Sequence, residues 1–293
     1  LYSTISNLII PFIRETIWFI LDNNHNTEKL QLIKPFITKQ IIYLCKLIEE
    51  HADSDDILMD SLSAVVVASD LPRFFLYRET VYLIDSLFKV VSRESISVDN
   101  VMIIFDIINS MFKYYGEYLL SKYNYDKLLI DYANNNSDFL IIAMKGFTNI
   151  ISYYSYNSTL LCEACTILTL FVSRYESSFR EKKLFIYYYC WLKQNVPESV
   201  FFDVVDNTTF SNSIDIVIDI ATTFKSDIIE LAIRLLFDFL SSTDYFEISF
   251  LYLPIGEIQD LINDIEDMDL DINTKVLISL INEIIDKNIT CEW

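Results

Sequence analysis

Glycine is almost absent from this chain: Gly116, Gly146 and Gly256 are its only three in 293 residues, beside five prolines. Sheet proteins and α/β nucleotide folds place glycine at tight turns and in loops that approach a phosphate closely. Three isolated glycines cannot make a dinucleotide fingerprint or a phosphate-binding loop. Helices joined by short polar turns remain. With 52% hydrophobic and 15% aromatic residues the chain is too apolar for disorder and rich enough for a continuous core.

The stretch Ser226–Ser242, SDIIELAIRLLFDFLSS, shows what kind of helices these are. Ser226 can cap a helix start, and Asp227 and Glu230 put negative charge near the positive end of the helix dipole. Behind them, apolar residues recur at helical spacing on nearly every side. Only Glu230, Arg234 and Asp238 form a polar stripe, each an i,i+4 neighbour of the next. A helix with so narrow a polar face needs apolar neighbours on at least two sides.

The periodicity predicts helices over 2–21, 27–50 (with Pro35 either kinking it or starting its second part), 54–69, 73–92, 97–121 and 125–132. A break at Asn134–Ser137 divides the chain into an N-terminal helical half, 1–133, and a C-terminal half, 134–293, continuous with the first. Beyond it, helices are predicted over 138–152, 158–174, 179–194, 198–205, 211–224, 226–242, 254–266 and 273–287. These read as antiparallel hairpins. Their second helices, STLLCEACTILTLFVSR, SDIIELAIRLLFDFLSS and NTKVLISLINEIIDK, share a polar start and an apolar body. They are expected to form the inner, doubly covered layer of a stack.

This pattern resembles the armadillo/HEAT superfamily of α-solenoids, most closely over 138–288. The resemblance implies an all-α, right-handed superhelix of antiparallel helix pairs. Armadillo proteins that bind basic peptides repeat a Trp-x-x-x-Asn pair along their inner helices. Trp191 and Asn195 match that spacing once, in WLKQN. Acidic HEAT solenoids include the nuclear-transport receptors, which this chain's pI near 4.3 is similar to.

Charge is unevenly placed. The formal net charge is -20. Residues 1–196 hold 22 acidic and 18 basic side chains, and residues 197–293 hold 20 acidic and 4 basic. The last third would repel nucleic acid and attract a basic protein or peptide. The alternative is a solvated face that serves solubility. The expected function is a non-catalytic interaction scaffold or adaptor, transport-receptor-like. The expected contacts are Glu230, Asp238, Asn282, Glu283 and Asp286, with Trp191 and Asn195 adjoining. A structural subunit of a larger assembly is the alternative within that class.

No apolar run reaches the roughly 18–20 residues that cross a bilayer. Arg14 and Glu15 interrupt Leu8–Leu21, and Lys183 and Lys193 bracket the nine-residue LFIYYYCWL. Five cysteines at irregular spacing suit a reducing compartment, cytoplasmic or nuclear. The chain opens on Leu1, as a fragment would.

Catalytic and metal-binding patterns are weak, and neither a cofactor nor a metal is expected. Cys162 and Cys165 form a lone CxxC within an apolar helix, where cysteines act as small core residues. Asp267, Asp269, Asp271 and Asn273 alternate like the start of a calcium loop, but Ile272 and Ile278 stand where its Gly and Glu belong. An acidic turn capping the last helix is expected instead. The enzymatic alternative is a class I terpene synthase, whose magnesium motifs Asp55, Asp56, Asp60 and Asn263, Asp267, Asp271 resemble in spacing. Asp replaces the usual Ser and Glu, and the Asp pair begins a helix rather than ending one.

Overall fold

The computed structural model describes residues 11, 15, 27–51, 58–62, 64–65, 73–93, 95–153, 157–175, 183–223, 225–242, 253–265 and 268–290. Among them every regular element is helical. Twelve helices have defined bounds: α1 (Thr27–Glu50), α2 (Arg73–Val91), α3 (Val98–Tyr123), α4 (Tyr125–Asn135), α5 (Phe139–Tyr153), α6 (Ser158–Ser173), α7 (Leu184–Asn195), α8 (Glu198–Val204), α9 (Asn207–Thr223), α10 (Lys225–Ser241), α11 (Ile255–Ile265) and α12 (Ile272–Thr290). Further helical turns lie at 58–62 and 64–65. Of the segment 2–21, expected as helix, only residues 11 and 15 are described, both helical, and residues 54–57, 63 and 66–69 of the helix expected over 54–69 lie outside the described residues.

Polar side chains at the turns set the helix ends. Ser97 accepts a hydrogen bond from the Asn100 amide at 3.3 Å, and Asn157 from the Thr159 amide at 3.0 Å, starting α3 and α6. Asp206 and Asp271 do the same for Thr209 and Thr274, starting α9 and α12. With glycine scarce, the left-handed C-cap of α3 falls to Asn124, at φ 47°, whose amide donates to Leu120 O. Asparagine tolerates that conformation better than other side chains do.

The chain forms two compact units, Leu1–Tyr125 and Asp126–Trp293. In the first, α2 packs against both α1 and α3. Thr38 donates to Glu79 at 3.0 Å, and eleven residues on, Glu49 accepts from Ser86 at 2.6 Å and Lys89 at 3.0 Å. Partner numbers climb together, so α1 and α2 run parallel. The described residues between them, 58–62 and 64–65, are helical. The core gathers on Phe88, which stacks on Tyr123 at 3.8 Å, and on Tyr125, which is fully buried between Phe105 and Phe112. Tyr125 donates its hydroxyl to Asn109 Oδ1 at 2.8 Å, which satisfies both buried polar groups.

In the second unit the expected break at Asn134–Ser137 is the turn between α4 and α5. The Arg174 guanidinium donates to the carbonyls of Ala133 and Asn134 at 2.7 and 2.9 Å and so closes the end of α4. Helix packing follows two rows. One runs α5, α7, α10, α12; the other runs α6, α9, α11; α5 with α6, α6 with α7, and α9 with α10 join them. A chain of aromatic rings threads the rows: Phe171 stacks on Phe185 at 5.1 Å, Tyr189 meets Phe239 at 5.0 Å, and Phe239 meets Phe210 at 5.2 Å.

Two expectations need correction here. The three second helices do not share one row, because α6 packs with α9 while α10 and α12 pack in the row of α7. Helix α8 is the cause. With seven residues it spans only about 10 Å and lies against α6 and α7 without extending a row. The alternation of helices between rows therefore shifts by one. Helix α12 is also not doubly covered: Ile281 and Ile285 are fully buried, whereas Ile272, Val276 and Leu280 stand in solvent.

Candidate interaction surface

Helices α7, α10 and α12 are successive neighbours in one row, and they carry all seven residues expected to contact a partner. On α10, Glu230 and Arg234 are exposed and Asp238 is half-buried, so the polar stripe read from the sequence faces outward. Burial pushes the Asp238 carboxyl above its ordinary range, and the nearby Lys193 and Arg234 cations oppose that rise. Asp238 in turn helps to hold the Cys190 thiol of α7, raised chiefly by burial, at about 11. Lys193 leans over the rings of Phe201 and Phe202, 5.4 and 5.1 Å from their centroids. It thus contributes a cation–π contact beside its attraction to Asp238.

Trp191 is half-exposed and stacks on Tyr188, with centroids 6.0 Å apart. The Asn195 side-chain amide donates to the Trp191 carbonyl, one turn back on the same helix, at 2.8 Å. Its N–H is therefore engaged in finishing α7, and the side-chain oxygen remains for a visiting donor. On α12, Asn282, Glu283 and Asp286 are all exposed. The structure thus gathers Asp238, Lys193 and Cys190 into one cluster. It places Glu230 and the α12 residues on adjoining helices of the row.

A second acidic feature was not legible in the sequence. Asp215 on α9 is pushed above its ordinary range by partial dehydration and by the negative charge of Glu257 on α11, the next helix of the other row. Both carboxylates are exposed, on helices that are neighbours. Glu257, Asp260 and Asp264 line the exposed side of α11 at i, i+3, i+7. That spacing is visible in the sequence; which helix it would face is not.

Among the described residues no group of three or more His, Cys, Asp or Glu side chains could hold a metal ion. Of the two magnesium-like motifs, Asp60 is exposed in the first unit and Asn263 is exposed on α11. Asp55, Asp56 and Asp267 lie outside the described residues. Asp271 accepts the Thr274 amide at 2.5 Å, the capping role expected of the acidic turn. Its carboxyl is held below the ordinary range, first by that backbone bond and further by the Arg234 charge. Cys165 is fully buried in the core, which raises its thiol to about 12 and removes thiolate character. No helix among the described residues is long and apolar enough to cross a membrane. No protein-family model, curated protein or solved structure matches this chain.

Proposed function

We propose that this chain is a non-catalytic interaction scaffold, an armadillo/HEAT-type solenoid whose second unit binds a basic protein or peptide. The observation that carries the reading is the exposed acidic side of two neighbouring helices, with Asp215 on α9 and Glu257, Asp260 and Asp264 on α11 all in solvent. Carboxylates crowded on neighbouring helices repel one another in the isolated chain. A lysine or arginine placed between them offsets that repulsion, so cation binding is favoured there beyond what the general negative field supplies. The order of helix neighbours supports the solenoid part, since the helices of each row pack in sequence order, as in a stack. Glu230, Asp238, Glu283 and Asp286 on the other row would steer the same partner, with Trp191 and Asn195 as its apolar and amide contacts.

The test is titration of a fluorescent Lys/Arg-rich peptide into the native chain and into Asp215→Asn/Glu257→Gln, at low and high salt. Weaker binding by the variant with a shallower salt dependence is expected. Equal affinity and equal salt dependence would overturn the reading. A further signature is proton release. A cation that lowers the raised Asp215 pKa expels a proton when the pH lies between the bound and free values, so calorimetric heats should vary with the buffer's ionisation enthalpy.

A further inference from the structure

Helix α12 carries an apolar ridge that nothing covers among the described residues. Ile272, Val276 and Leu280, spaced i, i+4, i+8, are 81%, 53% and 36% exposed, on the side opposite the buried Ile281 and Ile285. Isolated exposed apolar residues are ordinary, whereas a contiguous ridge on one helix marks a contact surface. Its charge shows what kind of partner fits. The last 97 residues hold only four basic side chains, Lys225, Arg234, Lys275 and Lys287, against 20 acidic ones. Two of the four lie on α12, where they balance Glu283 and Asp286 exactly in number. This helix is therefore neutral inside a strongly acidic region.

A basic partner is drawn most strongly to α9 and α11, which carry acidic side chains and no basic one, and less to a helix of balanced charge. A second copy of this chain is repelled by those acidic helices and can approach closely only where charge is balanced. An isologous contact also requires both signs on one patch, since the same surface must complement itself. Lys275 and Lys287 with Glu283 and Asp286 around an apolar i±4 ridge supply both signs, and such ridges interdigitate when two helices cross. From these observations we infer that α12 is a homodimer face, on which the ridge of one copy packs against the ridge of the other across a twofold axis. A contact made by one helix from each copy lies at the small end of stable interfaces, so the dimer dissociates on dilution. The inference shares Glu283 and Asp286 with the proposed peptide-binding surface, whereas the ridge residues Ile272, Val276 and Leu280 belong to it alone.

Sedimentation of the native chain over a dilution series tests it, with Val276→Asp, Lys275→Glu and Glu283→Lys beside it. All three positions are exposed, so thermal melts by circular dichroism should remain native-like. The native chain is expected to shift from monomer to dimer as concentration rises, and Val276→Asp to remain monomeric. Lys275→Glu and Glu283→Lys leave α12 with net charges of opposite sign. Each alone should self-associate several-fold more weakly, and an equal mixture of the two should recover the dimer. A native chain that is monomeric at every concentration would overturn the inference and leave the ridge to another occupant. So would a dimer that survives Val276→Asp, or a mixture that fails to recover.

Discussion

At the scale of single residues, the first unit turns on Asp85. Its carboxylate accepts from Tyr118 at 2.5 Å, Tyr123 at 2.6 Å and Lys122 at 2.8 Å, while Lys122 also donates to the Tyr118 hydroxyl at 2.6 Å. Partial burial acts to raise the Asp85 pKa, but the bonds from Lys122, Tyr118 and Tyr123 outweigh it and hold the group below its ordinary range. A depressed carboxylate contributes stability above its unfolded pKa and loses it as pH falls through the folded value. Asp85→Asn should therefore destabilise the chain by about 1–2 kcal/mol at neutral pH, with the difference shrinking toward acid, as urea titrations at several pH values would read. Asp215 should behave oppositely. Its folded pKa is raised, so ionisation costs stability as pH climbs from the ordinary carboxylate range through that raised value. Asp215→Asn should raise the melting temperature at pH 7 and leave it unchanged below about pH 4. The two cases also differ in how far the sequence could reveal them. Glu230, Arg234 and Asp238 are neighbours by helical spacing and were legible. Asp85 lies 33 to 38 residues from its tyrosine and lysine partners, and no periodicity links positions so far apart.

At the scale of elements, helix positions were readable because apolar spacing and cap residues are local properties. Ser97 and Asn157 cap helices as a rule of sequence, whatever the tertiary fold, whereas the Asp206 cap went unread and α9 starts at Asn207, ahead of the expected 211. Which faces are covered is not local. The apolar bodies of α10 and α12 look alike in sequence, yet Phe239 of α10 is buried between Tyr189 and Phe210 while Val276 of α12 stands in water. Hydrophobic spacing shows that a face seeks a neighbour, not whether this chain supplies one. The short α8 was read correctly as a helix, but its effect on the rows depends on length in three dimensions. The difference is measurable. Phe239→Ala should cost about 3–5 kcal/mol through lost burial and a cavity. Val276→Ala should stay within about 0.5 kcal/mol in dilute solution. Chemical denaturation of both variants would separate a covered helix from an open one, and a large loss at Val276 under dilute conditions would contradict the open face.

For the whole molecule, the governing fact is that most of the net charge sits in the last third, 20 acidic side chains against 4 basic. Such a balance acts in two directions with opposite dependence on salt. Within the chain, carboxylates repel one another, as Glu257 does Asp215, and that repulsion opposes the compact state. Salt shortens the range of the field to about 10 Å at 0.1 M, so stability should rise as salt is added. Toward a basic partner the same field is attractive, and salt should weaken binding. The first unit and the early part of the second are nearly balanced, so the internal effect belongs to α9, α10 and α11. Hydrogen exchange read by mass spectrometry at low and moderate salt should show added protection in those three helices and little change in α2 and α3. Equal gains in α2 and α3 would assign the effect to general salting-out of apolar surface, which acts wherever a core exists. A gain confined to the acidic helices, together with salt-weakened peptide binding, would tie stability and recognition to one set of carboxylates. Removing their repulsion by mutation would then strengthen the fold and weaken the binding in the same step.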